Sequence, residues 1–92
     1  MLTRFFLIFI SYNFGEHNNE AVSTFEEVVD VVEKIYVGIY YDECKDDLEF
    51  ENRHREEIRS LNNSIKQAFE AGKKDYFFEV NGTWATVTFP KN

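Results

Sequence analysis

The sequence predicts an α+β fold: a small antiparallel or mixed sheet of about three strands, in the order β-α-α-β-β, with two helices packed on one face. An aromatic and Ile-rich run over residues 4–14 is too short for a convincing helix and reads as a strand. Two central stretches carry apolar residues at three- and four-residue steps, the helical period. An Asn81-Gly82 pair near the end is flanked by alternating apolar positions, which is a hairpin signature. At 92 residues the chain is sized for one domain around one core, spanning 1–92.

The first element has a competing interpretation. Met1-Leu2-Thr3-Arg4 followed by Phe5 to Ile10 has the outline of a charged leader and a hydrophobic region. The apolar run stops at Ser11, however, and Tyr12-Asn13-Phe14 offers no small-residue cleavage site. A bilayer crossing would need about 18 apolar residues, so a buried strand is expected and no membrane association.

After a polar stretch from Gly15 to Glu20, Ser23 and Glu26 have capping-box spacing and open helix one. Phe25, Val28, Val29, Val32, Ile35, Tyr36 and Ile39 then form a single apolar stripe. Gly38 offers a stop, although a helical glycine costs only about 1 kcal/mol and the stripe reaches Ile39. A charged connector from Asp42 to Glu51 follows, with Leu48 and Phe50 as its apolar anchors. Ile58, Leu61, Ile65 and Phe69 place helix two at 52–71, closed by Gly72 and by the cations Lys73 and Lys74.

In the hairpin, a two-residue turn pairs Val80 with Thr83, Phe78 with Ala85 and Tyr76 with Val87 on the core face. Glu79 with Trp84 and Phe77 with Thr86 occupy the other face. Phe77 and Trp84, together with Phe5, Leu7 and Phe9 or their alternates, would leave an apolar patch there. Such patches mark interfaces, and a two-fold homodimer is the expected cover.

Charge narrows the function. Hydrophobic residues make up 43% and aromatics 17%, enough to order the chain without metals or disulfides. The net charge of −7 disfavours direct nucleic-acid binding, which draws on clustered Lys and Arg. Residues 16–51 hold twelve acidic side chains against Lys34 and Lys45, a local charge of −10, whereas residues 52–92 carry five acids and seven bases, +2. On helix one, Glu26, Asp30 and Glu33 fall at steps of four and three residues, about 6 and 4.5 Å of helix rise. A solvated, solubilising face is the simplest explanation of these acids. The mixed face of helix two, where Arg53, Arg55 and Arg59 offset Glu56 and Glu57, makes the acidity regional instead. Rows of carboxylates several ångströms apart imitate the phosphate rows of a duplex and would recruit a basic protein.

Catalytic and metal chemistry find little purchase. His17, His54 and Cys44 are too dispersed for a zinc site, and the histidines read as surface residues. Asp42 to Asp47 is acid-rich but lacks EF-hand spacing and its glycine. The chain has no phosphate-cradling loop and no nucleophile elbow, and Cys44 stands between carboxylates that disfavour its thiolate. No cofactor is expected. The single cysteine precludes an intrachain disulfide and makes the cytoplasm the default location. Tyr36, Tyr40 and Tyr41, at the end of the stripe, read as core rather than as a ligand pocket.

In length, in charge and in the segments Phe25 to Lys34 and Asn81 to Trp84, the chain resembles the Arn anti-restriction nuclease proteins of T-even bacteriophages. The resemblance implies a dimeric, non-enzymatic DNA mimic acting in the host bacterial cytoplasm. Its target would be a McrBC-type restriction endonuclease, blocked at its DNA-binding surface, and it would also contact the histone-like nucleoid protein H-NS. The phosphate-like candidates are Glu26, Asp30, Glu33, Asp42, Glu43, Asp46, Asp47, Glu49 and Glu51. The alternative is an acidic interaction module, an immunity or adaptor protein, inhibiting an enzyme at a site unrelated to DNA.

Overall fold

A computed structural model describes residues 5–90. The chain runs β1 (Phe6–Ser11), β2 (His17–Val22), α1 (Phe25–Tyr40), a 3-10 turn (Tyr41–Glu43), α2 (Asp47–Glu70), β3 (Asp75–Val80) and β4 (Thr83–Thr88). The class is α+β as expected, but the antiparallel sheet has four strands, ordered β2-β1-β4-β3, and the element order is β-β-α-α-β-β.

The strand absent from the sequence reading is β2. His17-Asn18-Asn19-Glu20 has no apolar alternation because β2 is an edge strand, exposed over most of its length. Backbone pairing to β1 holds it, with Phe6 opposite Val22 and Ser11 opposite His17. Such pairing uses main-chain groups that every residue except proline carries. The Tyr12 N–H donates to the Glu16 carbonyl (2.8 Å) and closes the turn between the strands. Strand β1 keeps the centre of the expected 4–14 run; residue 4 lies outside the described residues.

The β3–β4 hairpin has the expected register, Val80 opposite Thr83, Phe78 opposite Ala85 and Tyr76 opposite Val87. Asn81 and Gly82 take φ of +48° and +84°, the pair of positive angles that a type I′ turn requires. Strand β4 then pairs antiparallel with β1, Ile8 opposite Val87 and Ile10 opposite Ala85, which joins the two ends of the chain in the sheet centre.

Both helices cover one sheet face. Phe6, Ile8 and Ile10 from β1, Phe78 from β3 and Ala85 and Val87 from β4 are buried against Val28, Val31, Val32, Ile35 and Tyr36 of α1 and Phe50 and Ile65 of α2. Phe6 sits edge-on to Phe25, Phe69 and Phe89, with ring centroids 6.2, 5.1 and 6.2 Å away, so the start of α1 meets the end of α2 over one end of the sheet.

Several local expectations shift. Helix α1 is capped by Thr24, not Ser23: the Glu27 N–H donates to Thr24 Oγ1 (3.3 Å), and Glu27 rather than Glu26 reaches back, accepting from Ser23 Oγ (3.0 Å) and Thr24 Oγ1 (3.1 Å). Those hydroxyl hydrogen bonds hold the Glu27 carboxyl below its usual range. Gly38 does not end the helix. Its missing side chain admits the Tyr12 ring, since a Cβ there would stand 3.3 Å from Tyr12 Cε1. Val29 leaves the core stripe and is half-exposed.

Helix α2 begins at Asp47, five residues before the expected start at 52, so the expected 42–51 connector shrinks to the 3-10 turn and Cys44-Lys45-Asp46. The cause is a second capping box. The Glu49 N–H donates to Asp46 Oδ1 (2.8 Å), and Glu49 Oε2 accepts from the Lys45 N–H (3.0 Å). Asp46 and Glu49 stand three apart, a spacing readable from the sequence. Phe50 is thereby buried, while Leu48 points outward at 65% exposure.

Candidate functional site

The nine candidate carboxylates come from three pieces of backbone. Glu26, Asp30 and Glu33 project from α1, Asp42 and Glu43 from the 3-10 turn, and Asp46, Asp47, Glu49 and Glu51 from the cap and first turns of α2. At 100° per residue, Glu26, Asp30 and Glu33 fall within about 60° of arc, opposite the buried Val28, Val32 and Ile35. All nine are exposed except Glu49, which is half-buried.

Local chemistry divides them. Asp46 is occupied as the α2 cap. Glu49 holds Arg53 at 3.1 Å, and Glu51 holds Arg55 at 2.6 Å, each an i,i+4 pair on the helix surface. Glu26, Asp30, Glu33, Asp42, Glu43 and Asp47 have no cation within ion-pair distance among the described residues. Lys34 turns away from them toward β2, where it pairs with Glu20 at 3.8 Å.

Arg53 also donates to the Glu43 carbonyl (3.4 Å), tying the first turns of α2 to the 3-10 turn. The positions of Arg53 and Arg55, four residues after Glu49 and Glu51, were a sequence signal that these two acids are internally neutralised.

The second surface is the uncovered side of the sheet. Leu7, Phe9, Phe77 and Trp84 are 43, 39, 61 and 39% exposed, with Phe5 beside them at 49%. Trp84 lies 5.6 Å from Phe9 and 6.1 Å from Phe77 between ring centroids, and Phe9 lies 6.1 Å from His17. The rings therefore form one row from β2 across β1 and β4 to β3. The acids on this side of the four strands are Asp75 and Glu79, both on the β3 edge.

His54 corrects the expectation of a surface histidine: it is 5% exposed, enclosed by Tyr36, Tyr40 and Phe50, with centroids 5.9, 4.2 and 5.1 Å away. Neither ring nitrogen has a hydrogen-bond partner among the described residues, and the nearest acid, Glu57 Oε2, lies 3.8 Å from Nδ1. The tyrosine group divides as well. Tyr36 is buried, Tyr40 half-buried and Tyr41 61% exposed. Burial, with help from Glu57, pushes the Tyr36 phenol up to about 12 and raises that of Tyr40. Cys44 is a free, half-buried thiol packed against the core.

No described helix is long and apolar enough to cross a membrane. No family model, curated protein or solved structure matches the chain.

Proposed function

We propose that this chain is a non-catalytic inhibitor that occupies the DNA-binding surface of a basic protein, with carboxylates of α1 and the α1–α2 turn standing in for phosphates. The observation that carries this reading is the set Glu26, Asp30, Glu33, Asp42, Glu43 and Asp47, exposed and without a cation in reach among the described residues. Unneutralised carboxylates keep a long-range field that steers a cationic groove, whereas the paired Glu49 and Glu51 contribute little to it. The sequence resemblance directs the reading to a modified-cytosine-dependent restriction endonuclease of McrBC type, and to H-NS as a further partner, in a bacterial cytoplasm.

The working unit in this reading is a homodimer joined through the open sheet. Two copies each carrying −7 can approach there, because Phe77 and Trp84 lie on a side where Asp75 and Glu79 are the only acids among the described strand residues. Dimerisation would present two acidic surfaces, as a duplex presents two strands.

An affinity pull-down from bacterial lysate, with and without excess duplex DNA, tests the reading. Retention of DNA-binding proteins that DNA displaces is the expected result, and Glu26→Lys, Asp30→Lys and Glu33→Lys combined should weaken it and flatten its salt dependence. Retention indifferent to DNA would point instead to an interaction module acting at a site unrelated to DNA.

A further inference from the structure

Residues opposite one another in adjacent strands share a face, so the open side of the sheet is built in rungs. One rung runs His17, Ser11, Trp84, Glu79 from the β2 edge to the β3 edge, and the next runs Asn19, Phe9, Thr86, Phe77. Across the midline between β1 and β4, each large side chain has a smaller one at the equivalent place. Trp84 answers to Ser11, Phe9 to Thr86 and Phe77 to Asn19. The charges follow the same rule. His17 is the only side chain on this side of the described strands that can carry a positive charge, and its equivalent is Glu79. Both are exposed, and neither has an ion-pair partner among the described residues.

We infer that the open side packs on a second copy about a two-fold axis running along the strands, between β1 and β4, so that His17 of each copy meets Glu79 of the partner subunit. The inference rests on the homodimer of the proposed function and fixes its geometry and its polar contact. Sheets packed face to face keep their strands within about 30° of one another, which allows a two-fold axis along the strands or across them. An axis across the strands lays β3 on the same strand of the other copy, so the carboxylates of Asp75 and Glu79 face carboxylates and repel. An axis along the strands lays each rung on its own reverse, β2 on β3 and β1 on β4. Large side chains then stand over small ones at Trp84 and Ser11, Phe9 and Thr86, and Phe77 and Asn19, as close packing of two surfaces requires. The acidic edges are moved apart, and each Glu79 meets an imidazole, which donates to a carboxylate whether neutral or protonated.

Sedimentation equilibrium of the full chain, at a fixed ionic strength of about 0.15 M, tests the arrangement through a charge exchange. His17→Glu should weaken the dimer at least about fivefold by setting carboxylates against each other. His17→Glu combined with Glu79→Lys should recover affinity to within about twofold of the unmodified chain. Asp75→Lys separates the two axes: it should leave affinity within about twofold, whereas an axis across the strands would make it tighten the dimer. All three positions are exposed, and far-UV circular dichroism checks that the variants are folded. A second measurement needs no affinity change. A zero-length carbodiimide should couple the amine of a His17→Lys variant to Glu79, and mass spectrometry should find that link in the dimer band. Three strand spacings, about 14 Å, separate the two positions within one chain, so the link forms between copies. An unmodified chain that stays monomeric overturns the homodimer itself and this geometry with it. A dimer that resists His17→Glu, that the combined exchange does not restore, that Asp75→Lys tightens, or that yields no link between positions 17 and 79 overturns this geometry and leaves the homodimer standing.

Discussion

The Tyr40 ring lies almost flat on the His54 imidazole, 4.2 Å between centroids and 20° between planes. With Tyr36 and Phe50 it encloses His54 in aromatic carbon, joining the end of α1 to the beginning of α2. His54 therefore serves as a packing residue whose ring nitrogens make no hydrogen bond among the described residues. Replacing it by Leu, of similar volume, should change stability by no more than about 1 kcal/mol, since no partner is stranded. His54→Ala should cost about 3 kcal/mol through the cavity it leaves. Urea denaturation of the two variants checks this; a Leu variant as damaged as the Ala variant would mean that the imidazole nitrogens matter.

Alkaline pH should loosen the same cluster. The Tyr36 phenol rises from 10.0 to about 12 in the folded protein, with burial as the main cause, so folding favours its neutral form. The stability it contributes is complete below pH 10 and is lost as pH rises through 10 toward about 12. Tyr40 shifts in the same direction. Urea midpoints measured across this window should fall, and Tyr36→Phe should make the fall shallower.

The cap of α1 is a sharp discriminator between neighbouring residues. Thr24 accepts the Glu27 N–H, while Ser23 only donates to the Glu27 carboxylate. Thr24→Ala should cost about 1 kcal/mol, and Ser23→Ala clearly less, in thermal or urea unfolding. A larger loss at Ser23 would restore the cap expected from the Ser23–Glu26 spacing.

On the open sheet, Trp84 stands between Phe9 and Phe77 in the aromatic row. A lysine there leaves the buried side of β4 untouched, because Ala85 and Val87 face the helices. Light scattering after size exclusion should therefore find the unmodified chain dimeric and Trp84→Lys monomeric, with circular dichroism unchanged. A monomer at high concentration without the mutation would remove the homodimer from the proposed function.

The candidate acids were readable in sequence as a regional charge, but their present status depends on structure in different degrees. Glu49 and Glu51 could be discounted from the arginines four residues on, and Asp46 from the Asp46–Glu49 box, because helical neighbours lie within one turn. The groove between α1 and α2, lined by Phe25, Val29 and Ile58, could not be read this way. It depends on how two helices, each with its own phase, lie side by side.

The sequence by itself determined the β3–β4 register, the Val28, Val32, Ile35 and Tyr36 part of the buried stripe of α1 and the concentration of acid between Glu16 and Glu51. These are properties of residues a few positions apart, where turn angles and side-chain period act directly. Only the tertiary structure decided that β2 joins the sheet, that β1 and β4 meet at its centre, that Val29 faces a groove and that His54 lies in aromatic carbon. Edge pairing uses backbone groups common to nearly every residue, and burial of a given side chain depends on which distant segment packs over it; neither is written into local spacing.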